Sequence, residues 1–158
     1  MNHTPNSVWK NPVHWLAFGC GIGTIPFAPG TFGTLAAVVL YIPMAKLTLI
    51  TYIIMLALAF LGGIYLCGRT TKDLQQHDHS GIVWDEFVGY WVTMLAAPPG
   101  WVWIVTGFLL FRLFDISKPW PINWVDRYVG GGLGIMLDDL LAGLLAALCL
   151  QMLAWWML

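Results

Sequence analysis

Apolar positions fall into five runs along the chain, at 35–44, 47–67, 82–97, 101–114 and 140–158. A helix needs about 20 residues to cross a bilayer, and only the second and fifth runs reach that length. At about 1.5 Å per helical residue, the other three are expected to be re-entrant, buried among neighbours or lengthened by their flanks. Two joints are tight: Pro43-Met44-Ala45-Lys46 and Pro98-Pro99-Gly100. Each predicts a helical hairpin. The expected fold is all-α, a small polytopic membrane helix bundle with short or re-entrant helical hairpins. It forms one domain over residues 1–158, with no internal repeat or linker.

Composition strengthens the membrane reading. Of 158 residues, 59% are hydrophobic and 9% charged, with a mean hydropathy of +0.74. A water-soluble domain carries about 25% charged residues, so this chain lacks the polar surface to face water all round. The net charge of -1 comes without a basic stripe, which argues against a nucleic-acid partner. The opening MNHTPNSVWKNP has no apolar core of the kind a cleaved signal carries. Cys20, Cys67 and Cys149 are widely spaced in apolar surroundings and read as small buried hydrophobes.

The few charges are not scattered. If each hairpin enters and returns, Lys10, Arg69, Lys72, Arg112, Lys118 and Arg127 share the side of the N-terminus, and Lys46 alone lies opposite. Positive residues favour the cytoplasmic side, so that side is expected to be the cytoplasm. The acids Asp73, Asp78, Asp85, Glu86, Asp115, Asp126, Asp138 and Asp139 fall there too. Tryptophans 9, 15, 84, 120 and 124 mark one edge, and 101, 103, 155 and 156 the other, as interfacial belts do.

Three polar clusters then meet at one face. FRLFDISKPWPI (111–122) ends the fourth run, Trp84-Asp85-Glu86 opens the third, and Leu137-Asp138-Asp139 opens the fifth. Carboxylates near helix N-termini are favoured by the dipole, which accounts for any one of these acids. Five converging on a small area would repel one another, and an acid at membrane depth costs about 2.5–3.5 kcal/mol. A hard divalent cation relieves both, and oxygen-only ligands suit Mg²⁺. Neighbours on a helix point about 100° apart, so one member of each acidic pair is expected to bind metal. Arg112, Asp115 and Lys118 share a broad helical face, while Pro119 biases Lys118 away from helical geometry. A guanidinium fork and an ammonium beside a metal site are what a phosphate needs.

The glycine-rich stretch GCGIGTIPFAPGTFGT (19–34) permits close backbone approach and anion binding. No GK[ST] follows, so it is not a P-loop, and the glycines by themselves read as helix packing. Thr31 and Thr34 read as N-caps or, with Thr24 and Gly30, as substrate-binding positions. His77-Asp78-His79 reads as a solvated loop, and His3 and His14 carry no signal.

GTIPFAPGTFGT (23–34), IVWDEFVG (82–89), FRLFDISKPWPI (111–122) and GIMLDDLLAG (134–143) resemble, in order, the blocks of the phosphatidylglycerophosphatase A family. The resemblance implies a bacterial inner-membrane, Mg²⁺-dependent phosphatase of phospholipid biosynthesis. Its reaction converts phosphatidylglycerophosphate to phosphatidylglycerol and inorganic phosphate. It implies Asp85, Glu86, Asp115, Asp138 and Asp139 as the site's acids, with Asp115, Lys118 and Arg112 as catalytic groups. Metal-assisted attack by water is expected, with Arg112 and Lys118 on the equatorial oxygens. An aspartyl-phosphate on Asp115 is the alternative, but no DxDx[TV] signature supports it.

Two other readings compete. CDP-alcohol phosphatidyltransferases resemble DGxxAR…GxxxDxxxD, a spacing that GGLGIMLDD does not match. A small cation transporter would place its ionisable groups near mid-membrane, whereas these gather at one edge. The sequence leaves the oligomeric state and the number of metal ions open.

Overall fold

The computed structural model describes residues 5–76 and 79–157; His3, His77 and Asp78, named above, lie outside them. Among the described residues the ordered elements are all helical. They are α1 (Pro12–Ala17), α2 (Pro29–Met44), α3 (Leu49–Leu74), α4 (Trp84–Thr93), α5 (Trp101–Ser117), α6 (Ile122–Tyr128) and α7 (Gly131–Met157), with short 3-10 turns at Asn6–Trp9 and Ile22–Thr24.

Local signals set some of the helix ends. Asn11 caps α1 by accepting the Val13 N–H at 3.0 Å, with Pro12 in the first helical position. Thr48 caps α3 by accepting the Thr51 N–H at 3.3 Å, satisfying a donor the helix leaves orphaned. Gly100, at φ 128°, turns the chain into α5. Both expected joints break the chain, between α2 and α3 and between α4 and α5, but only α4 and α5 pack as a hairpin. Helix α2 lies against α4 and α5 and meets α3 near the joint, where Tyr41 and Tyr52 touch edge to face.

Among the described residues, two helices are long and apolar enough to cross a membrane, α3 and α7. Only 11% of the apolar stretch of α3 is buried by the rest of the protein, with Ile50, Leu58 and Leu61 all exposed. A core helix of a water-soluble domain would be covered instead, so α3 needs lipid as its solvent. The chain is a membrane protein. Helix α4 is the opposite case, with every residue from Phe87 to Thr93 buried.

Helix α7 begins at Gly131, nine residues before the apolar run that announced it. Gly132 allows this: a Cβ there would meet the Ile64 carbonyl and the Gly68 backbone of α3. Asp138 and Asp139 therefore lie about two turns inside the helix and not at its N-terminus. The helix dipole acts within the first turn and gives them no support.

Other expectations shift as well. Ala28 is the N-cap of α2, so Thr31 and Thr34 are interior residues. Trp103 is buried, and the Trp84 indole donates to the Ala59 carbonyl at 3.0 Å; both serve packing. Cys67 is buried but Cys20 is exposed. His79 is buried, with Nδ1 accepting the Gly81 N–H at 3.0 Å.

Candidate active site

At one end of the bundle a cavity of about 470 Å³ opens between α2, α4, α5, α6 and α7. It gathers Gly30, Asp85, Glu86, Arg112, Asp115, Lys118, Asp138 and Asp139, from stretches far apart in sequence. Thr24, Thr31 and Thr34 do not line it. The Thr34 hydroxyl is fully buried and donates to the Gly30 carbonyl at 2.8 Å, and Thr24 donates to the Gly21 carbonyl at 2.7 Å. Gly30 does matter sterically, since a Cβ there would run into the Glu86 carboxylate and crowd Arg112.

The deepest feature is a triplet of acids. One carboxylate oxygen each from Asp85, Glu86 and Asp139 lies within 4.8 Å of the other two. Asp85 Oδ1, Glu86 Oε2 and Asp139 Oδ2 are buried without a hydrogen-bond partner. Such orphaned acceptors are rare and costly. Three together, all hard oxygens, meet the requirements of a hard divalent cation. Asp138 stands apart: its Oδ1 accepts the Asp139 N–H at 3.0 Å and its Oδ2 faces Lys118. At 85–86 the expected division of labour does not appear. Both members join the triplet.

The cations occupy the outer part. Arg112 pairs with Asp115 one turn along α5, and its Nη1 lies 4.0 Å from Glu86 Oε1. Its Nε is buried without a partner, an orphaned donor beside orphaned acceptors. Asp115 lines the cavity but is outside the triplet.

Lys118 is the C-cap of α5 in left-handed geometry, φ 40°, so it leaves the right-handed helix as expected but does not take the extended conformation that a following proline favours. Its Nζ bridges Asp138 at 2.7 Å and Asp126 at 2.6 Å. Burial would lower its pKa, but the hydrogen bonds it donates to the two carboxylates outweigh that and hold it above the usual lysine range. Lys118 stays charged. Asp126, on α6, lines the same cavity. Sequence reasoning counted it only as one more cytoplasmic acid; the signal available was its place just after the Pro119–Pro121 turn.

The arrangement thus offers a cation seat, two fixed positive charges and an unpaired guanidinium donor in one partly enclosed space. It suits a phosphate group bound beside a metal ion.

Comparison with known proteins gives a concordant result. The sequence model of the family described as Phosphatidylglycerophosphatase A matches residues 15–154. The phosphatidylglycerophosphatase A of Escherichia coli (strain K12) is 49% identical over 139 residues, 87% of this chain and 81% of that protein. The protein of the same name from Haemophilus influenzae is 47% identical over 150 residues, 94% of this chain and 92% of that one. A protein of Bacteroides thetaiotaomicron, provisionally named a phosphatidylinositol-3-phosphatase, is 34% identical over 145 residues, 87% of this chain and 90% of its own. No solved structure matches the chain.

Proposed function

Because the chain belongs to the phosphatidylglycerophosphatase A family, we propose that its cavity hydrolyses the terminal phosphomonoester of phosphatidylglycerophosphate. The products are phosphatidylglycerol, for phospholipid synthesis, and inorganic phosphate. One observation carries the reading: three buried, unpaired carboxylate oxygens lie beside a buried, unpaired guanidinium donor.

Asp85, Glu86 and Asp139 are the residues that would hold Mg²⁺. When bound, the ion supplies charge neutralisation for phosphate oxygens and a more acidic water. The chain's own groups do the rest. Arg112, held by Asp115, and Lys118 both line the cavity and supply two positive charges for the anion. Both stabilise equatorial oxygens as charge spreads over them. The enclosed site strengthens these interactions, because water does not screen them fully. Water attacks phosphorus, the bond from phosphorus to the glycerol oxygen breaks, and that oxygen leaves with a proton.

Orientation follows from the basic residues. Arg112, Lys118 and Arg127 lie with Arg69 and Lys72 at the cavity end, and Lys46 lies at the other. By the positive-inside rule the site faces the cytoplasm, in the bacterial inner membrane.

Two measurements test these readings. Purified protein in detergent should release inorganic phosphate from phosphatidylglycerophosphate with Mg²⁺ and stop in excess chelator. No release under any condition overturns the activity, and full release in chelator overturns the metal requirement. For orientation, Cys20→Ser protein carrying Pro99→Cys should react with an impermeant thiol reagent added to intact cells. The same background carrying Arg127→Cys should react only after permeabilisation; the reverse pattern overturns the cytoplasmic assignment.

A further inference from the structure

We infer that Asp126 is a positioning residue for Lys118, aiming the ammonium at the substrate phosphate. This rests on the phosphatase reading above and adds to it a residue outside the acid cluster.

An ammonium has three N–H donors. Asp138, on α7, takes one at 2.7 Å and Asp126, on α6, another at 2.6 Å. With two donors committed, the third is left for the cavity that Lys118, Asp126 and Asp138 all line. Were Asp138 the sole partner, the flexible four-carbon stem would let the ammonium fold onto the acids. There it would compete with a metal ion for the same carboxylates. Asp126 keeps it suspended across the mouth.

The fold places Asp126 firmly enough to do this. Val125, its neighbour in α6, is buried, and Ile122 at the start of that helix is fully buried. The Val125 N–H is held by the Pro121 carbonyl at 3.2 Å, and the Ile122 N–H by Pro119 at 2.8 Å. The turn that releases Lys118 from α5 is thus the same turn that anchors its partner. Asp126 itself is 39% exposed and Lys118 28%. A pair so exposed contributes little to stability, so holding the fold together does not account for it.

The test is a double-mutant cycle on Mg²⁺-dependent phosphate release. Asp126→Asn should lower kcat by about tenfold to a hundredfold, the usual cost of losing an orienting partner, with a smaller change in KM. Asp126→Glu should restore part of the loss. In a Lys118→Ala background, Asp126→Asn should have no further effect. Thermal stability should match the parent in each pair. An undiminished kcat in Asp126→Asn, or an equal loss with and without Lys118, overturns the inference. An inactive parent protein would instead overturn the phosphatase reading, so the two failures are distinguishable.

Discussion

The bundle has a hollow at each end, and the two differ in how their polar atoms are satisfied. The far hollow, about 230 Å³, lies between the α2–α3 and α4–α5 joints and is lined by Tyr41, Met44, Tyr52 and Met94 among others. Its surroundings are paired: Tyr52 donates to the Trp91 carbonyl at 2.6 Å, Tyr90 to Ile104 at 3.2 Å, and Gln151 to Ala96 at 2.9 Å. At the near end four charged side chains each keep a buried polar atom without a partner. Among the described residues, the far end has no such atom. Size alone would make both hollows candidates. The unmet hydrogen bonds separate a place built for packing from one built to receive something.

Neutralising the triplet should break this contrast most strongly. Asp85→Asn, Glu86→Gln or Asp139→Asn should each cost at least about a hundredfold in kcat/KM. Without metal, each should also melt at or above the parent temperature, because a buried like charge is removed. Loss of activity accompanied by unfolding in all three would show that these acids hold the structure together. The far end should respond weakly and in the other quantity. Tyr52→Phe should cost about 0.5–1.5 kcal/mol of stability and leave kcat and KM near parent values, since its hydroxyl serves only the Trp91 carbonyl. A large loss of turnover with the fold intact would mean that the two ends are coupled.

Sequence patterning made the all-α class, the positions of both chain breaks and the two long helices legible, because apolar run length and Pro/Gly punctuation are local properties. That α2 packs on α4 and not along α3 was not legible, nor was the start of α7. Residues 131–139 mix glycines with a pair of acids, and only contact with α3 through Gly132 makes helix profitable there. The site was legible as a set of residue types, with Asp85, Glu86, Arg112, Asp115, Lys118, Asp138 and Asp139 named from three clusters. Their partition into a triplet, an arginine pair and a lysine bridge depends on side-chain reach across helices. Threonine positions misled for a related reason: Thr34 bonds its own helix, a choice its spacing does not reveal.

The shortness of α4 has a consequence for biogenesis. Ten residues extend about 15 Å, roughly half the hydrocarbon thickness of a bilayer, and the first turn carries Asp85 and Glu86. Such a segment cannot leave the insertion machinery as an independent span. It must enter under the cover of α2, α3, α5 and α7, which pack around it. The two acids therefore reach their depth only after those helices are in place, and the bundle acquires its most costly charges at the last stage of assembly.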